Sequence, residues 1–173
     1  SVDFDFFSEK EFDALGMSRT LSLLGTFVEE TREKNTLLGT FNGVKYSYFT
    51  YPYPLLATGE SFENVLIASV HDIAAMKLAA IMDRGTKRDF VDLFVIATHE
   101  TDLDIVVSLY DKKYHAWESN KISILKSLYY FDDAETSSMP EMLIPLSWDE
   151  VKRFFTAEAV RLGKKYLEGE TKK

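Results

Sequence analysis

At 173 residues the chain is long enough for one domain with a substantial core, and its 46% hydrophobic and 14% aromatic content excludes a disordered polypeptide. A net charge of −8 and a sequence pI of about 4.9 exclude a broad basic sheath for nucleic acid, so any such contact is local. There is no cysteine, hence no disulfide or thiolate zinc site; with no signal peptide and no apolar run near the roughly 18 residues of a membrane span, the expectation is a cytoplasmic protein without a membrane partner.

The chain opens with "SVDFDFF". In an extended strand Val2, Phe4 and Phe6 share one face and Asp3 and Asp5 the other. "SEKEFDALG" reads as a short helix with Ser8 as N-cap, Glu11 completing a capping box and Gly16 as the stop. "GTFVEETREKN" reads as a strand with a polar end. "TLLGTF" and "VKYSYFTY" flank Asn42-Gly43, a pair suited to a type I′ turn, and predict a hairpin closed by Pro52 and Pro54. "NVLIAS" is a further short strand.

Helices follow. Ser69 to Asp72 is a capping box opening a helix to about Met82, and Thr86 to Asp89 opens another to about Thr98. Asp102 to Tyr114 and Lys121 to Tyr130 are further helices. "DDAETSSMPEM" is a loop, Ser147 to Glu150 caps a long amphipathic helix to about Leu167, and "EGETKK" reads as a frayed tail. The expectation is a single α+β domain over 1–173, with residues 1–68 mostly a small mixed sheet and 69–173 helical.

Three positions break the apolar pattern. In "VHDIAAMKLAAIM" Lys77 lies between Ile73 and Ile81 on a helix that is apolar nearly all round, and a buried ammonium is costly unless paired. Its readings are a structural ion pair, a snorkelling side chain, or a cation held to meet a phosphate. On the next helix Asp89 and Asp92 share a face with Leu93 and Ile96. Asp89 suits a helix N-terminus, and Asp92 suits a pair with Arg88 or, across a helical hairpin, with Lys77. Asp3 and Asp5 face water on an ordinary strand, or share one hard cation such as magnesium or manganese.

The segments "SVDFDFF", "YPYPLL", "ASVHDIAAMKLAAIMDRGTKRDFVDLFVI" and "LIPLSWDEVKRFF" resemble the AbiEii toxin family of the nucleotidyltransferase superfamily. The resemblance implies a nucleotidyltransferase-like mixed sheet with a β-hairpin, flanked by helices and followed by a helical bundle. It implies transfer of a nucleotide from an NTP to an acceptor hydroxyl with Mg²⁺ or Mn²⁺, the tRNA 3′ end being an acceptor and a winged-helix antitoxin a partner in bacterial defence. Carried over by motif, Asp3 and Asp5 bind the metal, Lys77 binds the nucleotide phosphates, and Asp92 with its neighbour Asp89 completes the catalytic set. Two departures accompany it. The superfamily places a Gly-Gly or Gly-Ser phosphate loop before D-x-D, where this sequence starts at Ser1, and "VKYSYFTY" carries no third metal carboxylate; Glu29 and Glu30 are the substitutes. The alternative is an inactive remnant of the fold that binds a protein or a nucleotide.

Other features are bland. Tyr46, Tyr48, Phe49, Tyr51 and Tyr53 read as a sheet-packing surface rather than a base-stacking one. His71, His99 and His115 lack ligand spacing, and no G-x-S-x-G elbow supports a hydrolase. Lys112, Lys113, Lys121, Lys152, Arg153, Arg161, Lys164 and Lys165 read as solvated helix faces, with a phosphate-backbone patch as the lesser reading.

Overall fold

Hydrophobic alternation in the first third of the chain and helical periodicity beyond it produce two compact units, Ser1–Pro54 and Leu55–Lys173. The computed structural model describes residues 3–57 and 59–167; Val2 and the tail at 168–173 lie outside the described residues. The architecture is the expected α+β one: a mixed sheet with a flanking helix, then a helical bundle. Among the described residues no helix is long and apolar enough to cross a membrane.

In the first unit β1 (Asp3–Ser8), α1 (Ala14–Leu24), β2 (Phe27–Glu33), β3 (Thr36–Phe41) and β4 (Val44–Thr50) form a four-stranded sheet in the order β1-β4-β3-β2. The predicted turn is present, with Asn42 at φ 50° and Gly43 at φ 82°, so β3 and β4 run antiparallel. β1 pairs with β4 in parallel, placing Asp3 beside Lys45 and Asp5 beside Ser47. Strand alternation then sorts the side chains. Phe6, Tyr46 and Tyr48 pack together, with Phe12 edge-on to Tyr48, on the face that carries Leu37. Leu37 is fully buried. Asp3, Asp5 and Phe7 point to the opposite face.

The helix expected at Ser8 starts later. Ser8 remains in β1 opposite Thr50, and its hydroxyl donates to the carbonyl of Lys10 at 2.9 Å. Glu11 pairs instead with Lys34 at 3.1 Å. Asp13 caps α1 by accepting from the Leu15 N–H at 3.1 Å, so Gly16 lies in its first turn rather than at its end.

The second unit begins with a small hairpin, β5 (Ser61–Phe62) and β6 (Val65–Leu66), to which the "NVLIAS" strand is reduced. Then come α2 (Val70–Asp83), α3 (Lys87–His99), α4 (Leu103–Tyr114), α5 (Trp117–Ser127), α6 (Asp132–Glu135) and α7 (Trp148–Leu167). α5 starts four residues before the expected Lys121. No side chain caps it, and the burial of Trp117 sets its start. α6 adds one helical turn to the expected loop. α2 packs on α3 and α4, and α3 and α5 pack on α7. Phe90 lies at the centre of an aromatic cluster, with ring centroids 5.2 Å from Phe131, 5.2 Å from Phe155 and 5.8 Å from Trp148. Each fully buried side chain of this size contributes about 1.5–3 kcal/mol.

The expected box at Ser69 forms only in part. Ser69 accepts from the Asp72 N–H at 3.1 Å, but the Asp72 carboxylate accepts from the Leu56 N–H at 2.9 Å, the Ser69 hydroxyl at 2.7 Å and Lys113 Nζ at 2.7 Å. Lys113, read from the sequence as solvated, is therefore buried, and Asp72 is inaccessible to solvent. The stripe Leu103, Val106, Val107, Tyr110 turns Lys113 inward at helical spacing. Burial alone raises the Asp72 carboxyl, but the bonds from Lys113, Ser69 and Leu56 outweigh it and hold it below the usual range. We expect Lys113→Met to lose about 3–5 kcal/mol in urea unfolding, because a bare carboxylate remains in the core. Adding Asp72→Asn to that variant restores much of the loss.

Candidate functional site

The acid pair belongs to the first unit. Asp3 and Asp5 project from one face of β1, Asp3 half-buried and Asp5 exposed. Ser47 on the neighbouring strand donates its hydroxyl to Asp5 Oδ1 at 2.5 Å, which fixes the carboxylate by one oxygen and leaves the other for a ligand. Glu29 and Glu30 are elsewhere. β2 is three strand spacings from β1, roughly 14 Å. Glu29 accepts from Ser18 at 2.6 Å and pairs with Arg32 at 3.4 Å; Glu30 accepts from Thr40 at 3.4 Å. Among the described residues no group of three or more His, Cys, Asp or Glu side chains is placed to hold a metal ion. The donor set fits one magnesium or manganese ion that takes its remaining oxygens from water and substrate.

The lysine and the other two aspartates meet in the second unit. The turn between α2 and α3 is short because Gly85 adopts φ 48°, in the left-handed region that favours glycine. Lys77 on α2 thereby reaches across to α3, with Nζ 2.6 Å from Asp92 Oδ2 and 3.2 Å from Asp89 Oδ1. Thr86 and Asp89 form the predicted reciprocal capping box. Arg84 closes the cluster from the loop, its Nε 3.0 Å from Asp89 Oδ2 and its Nη2 3.0 Å from Oδ1. Asp92 pairs with Lys77 as expected for a helical hairpin.

Exposure separates the three groups. The Asp89 side chain is sealed at 0% exposure, Lys77 keeps 19% and Asp92 keeps 41%. The Asp89 carboxylate is therefore closed to solvent, and its oxygens face Lys77, Arg84 and Thr86. Burial pushes its carboxyl up, but the bonds from Arg84 and Thr86 and the charges of Lys77 and Arg84 prevail and hold it below the ordinary range. Lys77 spends two of its three ammonium protons on carboxylates, and its side chain is partly in solvent.

Arg84 was not singled out from the sequence. Its signal is present, a cation in a loop flanked by a helix C-terminus and a capping box, but only the tight turn brings it to Asp89. Several basic residues of the later helices are paired with acids. Lys152 pairs with Glu135 at 2.9 Å and Asp149 at 3.3 Å, Lys121 pairs with Glu118 at 2.9 Å, and Arg161 meets Asp104 at 2.6 Å and Glu158 at 2.7 Å. His71, His99 and His115 are exposed and far apart in the chain.

The first unit thus carries a small mixed sheet with an aspartate pair on one face, and the second a lysine held by two aspartates, in an α+β protein. The family model described as the nucleotidyl transferase AbiEii toxin of type IV toxin–antitoxin systems matches residues 44–164. An uncharacterized protein of Aquifex aeolicus is 39% identical, over 97% of this chain and 80% of that protein. No solved structure matches the chain. The chain belongs to the AbiEii nucleotidyltransferase-toxin family. The matched stretch carries Lys77, Asp89 and Asp92; Asp3 and Asp5 precede it.

The depressed Asp89 carboxyl gives a signed pH dependence. A group whose folded pKa lies below its unfolded value contributes stability above the unfolded value, about 3.9 for aspartate, and loses it as pH falls through the folded value. Asp89→Asn should cost about 2–3 kcal/mol at pH 7, less than the about 3–5 kcal/mol of a sealed pair because Arg84 is largely in water. Urea titrations from pH 7 to pH 3 should show the gap between wild type and variant narrowing below about pH 4. A gap independent of pH refutes the charged Asp89.

Proposed function

We propose that the chain transfers a nucleotide from a nucleoside triphosphate to an acceptor hydroxyl, as the toxin component of a type IV toxin–antitoxin pair. The observation that carries this reading is the state of Lys77. Asp89 is already met by two nitrogens of Arg84 and by Thr86, so a second cation is not needed to cover it. Lys77 is nevertheless held by Asp89 and Asp92 while its side chain keeps 19% of its surface in solvent, the condition of an ammonium positioned for an anionic ligand.

The roles follow from exposure and donor type. Asp3 and Asp5 hold a magnesium or manganese ion through hard carboxylate oxygens, with Ser47 fixing the orientation of Asp5. Such an ion, when bound, draws negative charge from the triphosphate oxygens. Lys77, in the second unit, offers its third N–H as a hydrogen-bond donor to an anionic ligand such as a phosphate oxygen. Asp89 is a positioning residue, and Asp92, engaged by Lys77 at 2.6 Å, orients the same ammonium. In the transfer the acceptor oxygen bonds to the α-phosphorus while the bond from that phosphorus to the α–β bridging oxygen breaks. Pyrophosphate leaves and the hydroxyl proton passes to solvent. Family membership supports nucleotide transfer and a cognate antitoxin as partner; the tRNA 3′ end is the acceptor that the resemblance read from the sequence implies.

The test is incorporation of labelled nucleotide into tRNA with Mg²⁺ and each NTP in turn. Asp5→Asn and Lys77→Met should each lower the rate by roughly 100-fold or more while far-UV circular dichroism stays unchanged. Full activity in either variant rejects these roles. No transfer by the wild type with any NTP or acceptor favours a binding protein that retains the fold.

A further inference from the structure

The aromatic run from Tyr46 to Tyr53 is divided by strand alternation. Tyr46 and Tyr48 lie with Phe6 on the face that carries Leu37. Phe49 lies on the opposite face, beside Phe7 on the adjacent strand, with ring centroids 5.9 Å apart and nearly parallel. Tyr51 stands edge-on to Phe7 at 5.4 Å, and Tyr53 edge-on to Tyr51 at 5.0 Å. The rings thus form a continuous ledge, and its outer members remain in water, Phe7 at 46% and Tyr53 at 39% exposure. This divides the single packing surface read from the sequence into a core half and an open half.

The position of the ledge indicates what it serves. Phe7 follows Asp5 by two residues on the same strand face, a rise of about 7 Å. Phe49 follows Ser47, the residue that holds Asp5, by the same step. One open sheet face therefore presents a pair of hard oxygen ligands and, one strand repeat away, a set of exposed rings. A nucleotide has the matching polarity: a polyphosphate that takes a cation, and a flat base about one sugar away.

We propose that the ledge of Phe7, Phe49 and Tyr51 stacks the base of the nucleoside triphosphate whose phosphates are held at Asp3 and Asp5. This rests on the nucleotidyl-transfer reading and adds the base subsite to it. The contact uses the π-face of the base and none of its edge donors or acceptors, so it adds affinity without selecting one base. Selectivity among NTPs, if the enzyme has it, resides in other residues.

Calorimetry on the full chain with two probes, Mg-ATP and Mg-tripolyphosphate, separates base from phosphate. Phe7→Leu keeps an apolar side chain but removes the ring; Phe4→Leu, on the opposite strand face and 60% exposed, is the control. The expected result is roughly tenfold weaker Mg-ATP binding by Phe7→Leu, unchanged Mg-tripolyphosphate binding, and no effect of Phe4→Leu on either probe. If Phe7→Leu binds Mg-ATP like wild type, or weakens both probes equally, the ledge is not a base platform although the nucleotide reading stands. If wild type binds neither probe, the nucleotide reading itself fails and the platform falls with it.

Discussion

Two aspartates at the third position of a helix, both closed off from water, organise the helical unit. Asp72 opens α2 and is met by Lys113 from α4; Asp89 opens α3 and is met by Lys77 from α2 and by Arg84 from the intervening turn. α2 thus gives a carboxylate to one neighbour and an ammonium to the other. Removing a charge from water costs several kcal/mol, recovered only where partners fill every lone pair, so each aspartate fixes the placement of the elements around it. Helix packing through Leu78, Phe90, Val106 and Phe155 provides the bulk of the stability. The ion pairs join α2 to α3 through Asp89 and α2 to α4 through Asp72.

The same interaction serves different ends according to exposure. Lys113 and Asp72 are both sealed, and their pair is complete within the protein. Lys77 is held between one sealed and one open carboxylate, with part of its surface in water. An ammonium in the first situation has nothing left to offer a ligand. In the second it is fixed in position and still has a third N–H beyond its two carboxylate partners. Placement on one side or the other of the solvent boundary separates the two lysines, although both interrupt apolar helix stripes.

The sheet solves a related problem by alternation. β1 is only six residues long, yet it packs Phe6 against Tyr46 and Tyr48 on one face and sets two carboxylates on the other. Its parallel pairing with β4 sets Ser47 beside Asp5 and Phe49 beside Phe7. A one-residue slip would put both acids into the aromatic core, so the register is strongly specified by the cost of burying them. The chemistry of the open face is a consequence of that register.

Local signals were legible wherever one short stretch of chain sufficed. Asn42-Gly43 defined its hairpin because two positive φ angles are cheap only for such residues, and Thr86 with Asp89 defined the start of α3 because the box closes on itself. Lys77 was conspicuous because its helix has almost no other charge. The sequence did not reveal that Ser8 stays in a strand, that Trp117 begins α5, or that Lys113 is buried, since each depends on a partner remote in the chain; Asp13 caps α1 through the nearby Leu15 N–H, a local signal that the box read at Ser8 displaced. Amino-acid order alone settled the α+β class, the hairpin, most helix starts and the candidate acids. Tertiary packing decided which charges lost their water, which face each aromatic ring occupies and which carboxylate each lysine meets, because desolvation and pairing are properties of neighbours brought together from distant positions.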